Sequence, residues 1–245
     1  MQRSLRSAFS LLGRGTLKIV LPAWCIACDR ELPWQDRQAS CCGSCWAGLP
    51  RITTARCHSC ALPAPVSGLA DWTCLDCQAD PLPLEWCEAW GHYRGSLEKV
   101  LHAFKFSRHD FLAEGLSGLL EETVRKRDLQ FDAIAGVPMH RSRERARGYN
   151  QAELLARALS KRVGVRCDMT LLTRRGARAT QSTLPKRERA ANIRGAFEAS
   201  APVKGKSILI VDDICTTGET LRACAAALRD GGASRVCAVS VAKAS

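Results

Sequence analysis

Val211-Asp212-Asp213-Ile214-Cys215-Thr216-Thr217-Gly218-Glu219-Thr220 is the stretch whose reading decides the fold of this chain. Ser207 to Val211, which leads into it, is a continuous apolar run of strand length. Gly218 to Arg229 has helical spacing that Gly231-Gly232 ends. Arg235 to Ala242 returns as a second apolar run, so the order is strand, helix, parallel strand. In an open α/β sheet ligands bind beyond the carboxyl ends of strands, which is where Asp212 and Asp213 fall. Two adjacent carboxylates leaving a strand can accept hydrogen bonds from the vicinal hydroxyls of a ribose. Thr216, Thr217, Gly218 and Thr220 then open a helix, where unpaired N–H groups and hydroxyls can cradle a phosphate. A dinucleotide fingerprint lacks the paired carboxylates, and a Walker loop needs a lysine after the last glycine. Helix capping by Asp212 and Thr217 alone does not account for the acids, threonines and glycine occurring together in one strand-to-helix frame.

Working outward, Asp132 to Pro138 reads as a short buried strand ended by proline. An arginine loop follows, then a helix from about Asn150 to Arg162, a strand over Val165 to Leu172, and a polar loop from Thr173 to Pro185. Lys186 to Ile193 suits a short helix. Upstream, Leu97, Val100, Leu101 and Phe104, then Phe111, Leu112, Leu116, Leu119 and Leu120, recur at helical spacing. The expected fold is α/β with a mostly parallel sheet. Val137, Pro138 and Met139, at a second strand end, are candidates for the pyrophosphate side of a ribose-phosphate ligand. Arg174, Arg175 and Arg178 can close over it from the loop beside Gly176. His140, a lone histidine among arginines, is more simply a solvated residue than a general base.

The front of the chain obeys other rules. Ten of the fourteen cysteines precede position 88. Eight of them form Cys25-x-x-Cys28, Cys42-x-x-Cys45, Cys57-x-x-Cys60 and Cys74-x-x-Cys77, so that each of the first four recurs 32 residues later. Each copy places four thiolates on two tight turns, as a tetrahedral zinc site requires. The intervening Pro- and Gly-rich stretches have no apolar periodicity, so metal substitutes for a core. Consecutive and interleaved pairing both fit the spacing. Cys41 adjoins Cys42 and can substitute for it, and Cys87 has no partner. With four thiolates per ion no coordination position is open, which makes two such zincs structural. Trp24, Trp34, Trp46 and Trp72 can supply scarce core area or stack on unpaired bases; core is the simpler role.

The net charge is +12, and most of it lies between Arg141 and Arg189, where fourteen Arg or Lys face four acids. Arg143, Arg145 and Arg147 form, with Arg141, an alternating basic run. Its two readings are a solvated loop and a contact for nucleic-acid phosphates with Tyr149 placed to stack on a base; Arg174, Arg175 and Arg178 join the second. The same arginines suit pyrophosphate. No segment is apolar over the length of a membrane span, and Arg14 and Lys18 break the first apolar stretch, so a reducing, cytoplasmic setting in which the paired cysteines bind metal is expected. Residues 3 to 21 suit a helix packed on the protein, with a lipid-surface or targeting helix as the other reading.

The acidic loop resembles the phosphoribosyl pyrophosphate signature of type I phosphoribosyltransferases. With the cysteine pairs, Leu21-Pro22, Tyr93, Leu101, Lys105-Phe106, Val137-Pro138-Met139-His140, Arg147-Gly148-Tyr149-Asn150-Gln151, Thr180-Gln181, Leu184, Arg189, Asn192 and Gly195-Ala196-Phe197, the chain resembles the ComF or GntX family over nearly its whole length. The resemblance implies a helical lead-in over 1–21, a double zinc-ribbon-like module over 22–88 and a phosphoribosyltransferase-like domain over 89–245. It further implies Asp212 and Asp213 as the catalytic pair, and Val211, Thr216 to Gly218 and Thr220 as ligand contacts. Phosphoribosyl pyrophosphate with Mg2+ would be the ligand, and single-stranded DNA handling in natural transformation or DNA utilisation the role. Two functions remain open from the residues: a transferase moving phosphoribosyl to a base, and a binding protein whose zinc module docks DNA or a helicase-like partner.

Overall fold

A computed structural model of the chain describes residues 23–33, 40–66, 72–106, 109–127, 130–175, 195–200 and 202–244. Its strands are β1 (Cys87–His92), β2 (Ala133–Gly136), β3 (Leu172–Arg174), β4 (Phe197–Ala199), β5 (Ser207–Cys215) and β6 (Arg235–Lys243). Its helices are α1 (Gly43–Ala47), α2 (Leu75–Ala79), α3 (Gly95–Phe106), α4 (Leu112–Val124), α5 (Arg141–Arg147), α6 (Gln151–Val163) and α7 (Glu219–Asp230). Four strands make a parallel sheet in the order β1-β6-β5-β2, and β3 pairs antiparallel with β4 beside it. The parallel α/β architecture is the one expected.

Both faces of the sheet are buried, which is why its central strands are apolar without alternation. Leu209 and Val211 of β5 point into one core with Leu97, Leu101 and Phe104 of α3, Leu116 and Leu120 of α4, and Leu155 and Leu159 of α6. Ile208 and Ile210 point into the other, against Leu221, Ala225 and Leu228 of α7 and Leu172 and Phe197 of the small hairpin. The repeated cysteine units divide between the same two cores. Cys25, Leu32 and Cys41 belong to the first, whereas Cys57, Cys60, Cys74 and Cys77 belong to the second. The Lys99 Nζ donates to the Ala27 carbonyl at 2.6 Å, tying the first unit to α3.

The segment between the two units covers the outer edge of β1. Its Ile52 N–H donates to Trp90 O at 3.1 Å and its Pro50 O accepts from His92 N–H at 2.8 Å, and His58 O, just inside the second unit, accepts from Cys87 N–H at 2.9 Å. An open parallel edge would otherwise present unpaired backbone groups to other chains. Glu88, only 7% exposed, is neutralised there by Arg56 at 3.1 Å and Arg127 at 2.6 Å. No strand is expected at Cys87–His92 from the sequence, because a run with Glu, Ala and Gly but no β-branched residue has neither alternation nor strong β-propensity. Neighbours on every side supply what propensity does not.

Two local expectations are corrected. Arg141–Arg147 is a helix, not a loop: the His140 side chain accepts from the Ser142 N–H, and Gly148 closes the other end at φ 88°. None of its residues is buried, so it has no apolar periodicity to read. Val165 to Leu172 makes only one bridge, from Cys167 to Ile134, until β3 begins at Leu172 and runs on through Thr173 and Arg174, two residues expected in the polar loop. Asp168 Oδ1 accepts from both the N–H and the hydroxyl of Thr170, and this turn bends the chain away. The helix expected over Lys186–Ile193 and the lead-in over 1–21 lie outside the described residues, as does Trp34. No helix of the described residues is long and apolar enough to cross a membrane.

Gly136 ends β2 where α6 crosses it, and a Cβ there would lie 2.6 Å from the Ala152 carbonyl oxygen and 2.9 Å from the Glu153 nitrogen. Both obstacles are backbone, so neither can turn aside. Gly136→Ala is expected to cost about 1–3 kcal/mol by forcing helix and strand apart, read as a lower midpoint in denaturant with an unchanged slope.

Candidate ribose-phosphate and zinc sites

The carboxyl ends of β5 and β2, the end of α3 and the start of α6 meet at one corner. Val137 N–H donates to Val211 O at 3.0 Å, so Val137, Pro138 and Met139 leave β2 directly beside the acidic loop. Asn150, which caps α6 through Ala152 N–H, also donates to Val137 O at 3.0 Å and fixes that departure. Asp213 is 7% exposed and its Oδ2 lies 3.1 Å from Lys105 Nζ at the end of α3. Asp212 has no such cation within ion-pair reach among the described residues, and its Oδ1 accepts from the Asp213 N–H at 2.9 Å. Burial, with the neighbouring Asp213 charge second, holds the Asp212 carboxyl well above the usual carboxylate range.

Past the acids, Thr216 and Thr217 are exposed and Gly218 turns with φ 84° to start α7. A side chain at Gly218 would meet both this left-handed backbone and Leu82, 3.1 Å away. Thr217, Gly218 and Thr220 thus sit at the amino end of a twelve-residue helix, where N–H groups point outward. Lys243 lies beneath the loop. It is 3% exposed, and its Nζ donates to the Thr216 carbonyl and lies 3.9 Å from Cys215 Sγ. Neither Lys105 nor Lys243 is identifiable as a site residue from the sequence. Lys105 interrupts an otherwise amphipathic helix and Lys243 follows an apolar run, and only the fold brings both amines to the loop.

The arginines divide. Arg143 and Arg145 are exposed on α5. Arg174 is partly covered, stacks over Phe197 at 5.2 Å, and is pulled below the ordinary guanidinium value by burial and then by the nearby Arg143 charge. Arg175 pairs with Glu198 at 2.9 Å. Arg147 contacts Gln151 at 3.2 Å and lies over the Phe106 ring at 4.9 Å. Tyr149 donates its hydroxyl to the Phe104 carbonyl at 2.6 Å, so its ring packs inward. Arg178 lies outside the described residues, as do Thr180-Gln181, Leu184, Arg189 and Asn192.

Of the two pairings that the spacing permits, the structure has the consecutive one. The sulfurs of Cys25, Cys28, Cys42 and Cys45 lie within 4.8 Å of one another, and so do those of Cys57, Cys60, Cys74 and Cys77. Zn–S bonds of about 2.3 Å in a tetrahedron put sulfurs about 3.8 Å apart. The Cys28–Cys42 and Cys60–Cys74 distances are 3.9 and 3.7 Å. The Cys42 and Cys74 N–H groups donate to Cys25 and Cys57 at 3.3 and 3.4 Å, as suits thiolates. Burial pulls the Cys25 thiol up, but the N–H groups of Cys42, Ala27 and Cys28 outweigh it and bring it down to about 6. Donor set and spacing both fit structural zinc. Cys41 is buried beside the first cluster and outside it, and Cys87 is buried in β1.

The second cluster adjoins the acidic loop. Cys215 Sγ contacts the Cys60 carbonyl at 3.6 Å, and Arg222 of α7 holds Asp80 and the Asp80 and Pro81 carbonyls at 3.0, 2.8 and 3.0 Å.

Residues 113–245 match the phosphoribosyl transferase domain family, and residues 16–78 match the double zinc ribbon domain. The DNA utilization protein YhgH of Escherichia coli (strain K12) is 34% identical over 89% of this chain and 96% of its own length. Competence protein F of Haemophilus influenzae is 28% identical over 91% of each chain. Among solved structures, glutamine phosphoribosylpyrophosphate amidotransferase from B. subtilis has a TM-score of 0.39 and 21% identity over 54% of this chain and 26% of its own.

The raised Asp212 carboxyl has a stability consequence. A carboxyl whose folded pKa lies above its unfolded value costs stability as pH rises from the unfolded pKa through the folded one. Asp212→Asn is therefore expected to raise the unfolding midpoint at neutral pH and leave it unchanged in strong acid. Chelation of zinc is expected to speed hydrogen exchange across Cys87–His92 as well as in the ribbons, because the strand's outer edge is held by the segment joining them.

Proposed function

We infer the function from the premise that the chain belongs to the ComF family, in which a double zinc ribbon precedes a phosphoribosyltransferase-like domain. We propose that it binds phosphoribosyl pyrophosphate or a related ribose-phosphate at the loop Val211 to Thr220 and handles single-stranded DNA in natural transformation or DNA utilisation. The observation that carries this reading is the corner at which Asp212, Asp213, Thr216 and Thr217 share the carboxyl end of the sheet with Val137-Pro138-Met139, which lead into the basic helix α5.

Each group has a role in this reading. Asp212 and Asp213 accept from the ribose hydroxyls, and the Lys105 Nζ, 3.1 Å from Oδ2, holds Asp213 in its orientation. The N–H groups and hydroxyls of Thr216 to Thr220 take the 5′-phosphate. Val137 and Pro138, whose backbone is fixed by Val211 and Asn150, set the Met139 N–H toward the pyrophosphate, whose charge a bound Mg2+ would neutralise. Arg143, Arg145 and Arg174 give the strand's phosphates a salt-dependent hold, with Arg147 at the helix end; Tyr149, packed inward, braces that end rather than stacking on a base. The zinc ribbons keep this corner rigid and offer the surface for a helicase-like protein in the cytoplasm. The names of the relatives, DNA utilization protein and Competence protein F, support the DNA side of the proposal.

Phosphoribosyl transfer to a base is the second reading, favoured by the two carboxylates at a strand end. Positioning and charge would then stabilise a cationic anomeric carbon while pyrophosphate leaves. Double substitution Asp212→Ala and Asp213→Ala is expected to abolish calorimetric binding of phosphoribosyl pyrophosphate with Mg2+ and leave DNA affinity within about twofold, since the arginines hold the strand. Arg143→Ala with Arg145→Ala is expected to do the reverse. It should lower the slope of log affinity against log salt by about 0.7 for each lost phosphate contact. Retained ligand binding in the aspartate variant would overturn the site assignment. Release of pyrophosphate in the presence of a free base would place the transferase reading first.

A further inference from the structure

We propose that Phe106 and the Arg147 guanidinium stacked on it form a platform for one unpaired base of single-stranded DNA whose phosphates lie along α5. This rests on the DNA-handling reading above and names the residues that touch a base. Phe106 is 58% exposed at the end of α3, one of three large aromatic side chains, with Trp24 and Phe111, left in solvent among the described residues. Scattered exposed apolar residues are ordinary, so exposure alone would carry nothing.

What distinguishes Phe106 is its company. The Arg147 guanidinium lies 4.9 Å from the ring centre, and Gln151 Oε1 accepts from that arginine at 3.2 Å, which fixes the planar cation against the ring. His102 approaches from its own helix at 4.7 Å with a 43° tilt. An aromatic ring and a guanidinium held together offer flat, polarisable surface to any base, and Arg adds charge for the adjoining phosphate.

Position supports the same occupant. Lys105, the preceding residue, bonds Asp213, so the platform begins one residue from the ribose site. Arg147 is the last residue of α5, which also carries Arg141, Arg143 and Arg145 against the single acid Glu144. Arg143, one turn before Arg147, is its neighbour on the surface of α5, so a strand tracking these two arginines arrives at Phe106. Tyr149, the aromatic that sequence reading places at this spot, spends its hydroxyl on Phe104 and packs inward. A duplex keeps its bases stacked on each other and has none to offer, so the platform selects single strands.

The test uses the full-length, zinc-loaded protein and two oligonucleotides, one of thymidines and one with the same backbone but abasic. Phe106→Ala is expected to weaken thymidine-strand binding about 10- to 100-fold, with the abasic strand and the salt slope unchanged. Phe106→Trp should restore it. Phe106→Leu, which keeps apolar bulk without the ring, should behave as the alanine variant, and equal unfolding midpoints exclude a folding defect. A 2-aminopurine in the strand should lose fluorescence on wild type and on Phe106→Trp only. Equal binding of the thymidine strand by wild type and Phe106→Ala overturns the platform while the DNA reading stands. Failure of wild type to bind either oligonucleotide at low salt overturns both.

Discussion

The free edge of strand β1 is the constraint around which the rest of the molecule is arranged. A parallel sheet of four strands has two edges and two apolar faces to cover, and a chain this short has few elements to spend on them. Here the edge is closed by the segment joining two ribbons, and each ribbon continues onto a different face. The ribbons act as a clip around one side of the sheet. Their own cohesion comes from four-sulfur clusters rather than from apolar area, which leaves their Ala, Leu and Trp side chains available to the shared cores.

The same clip has consequences for the ligand loop. The second cluster lies directly below it, through Cys60 against Cys215 and Leu82 against Gly218. Lys243 and Lys105 approach from β6 and α3. The loop is thus supported from four separated parts of the chain, which fixes its backbone N–H groups in place. Two carboxylates side by side in partial burial repel each other, and among the described residues only Asp213 has a lysine within ion-pair reach.

How much of this could be read from the residues varies with the kind of signal. The acidic loop was legible because its chemistry and its strand-to-helix frame are both local. The ribbons were legible because a 32-residue offset repeated four times does not arise from packing. Their pairing was not, since spacing is blind to which turn faces which. Strand β1 was hidden because its burial is conferred by neighbours, and α5 because a fully exposed helix has only its caps to announce it. The failed strand at Val165 to Leu172 shows the opposite error, in which apolar composition was read but the Asp168 turn was not. Lys243 and the inward Tyr149 depended on contacts across the fold and left no pattern at all.

The route of the chain through this clip bears on how it can be made. Trp86 accepts a backbone hydrogen bond from Ala238, Glu85 donates one to Val236, and the Glu85 side chain pairs with Arg235, 150 residues further along. During synthesis the ribbons emerge long before β6, the strand that must pair with β1. For that interval their apolar sides have no sheet to rest on. Only the metal clusters, whose ligands are all close in sequence, can keep the amino-terminal part ordered while it waits. A shortage of zinc would then be felt first on the ribosome, as aggregation of newly made chains, and only afterwards in the finished protein.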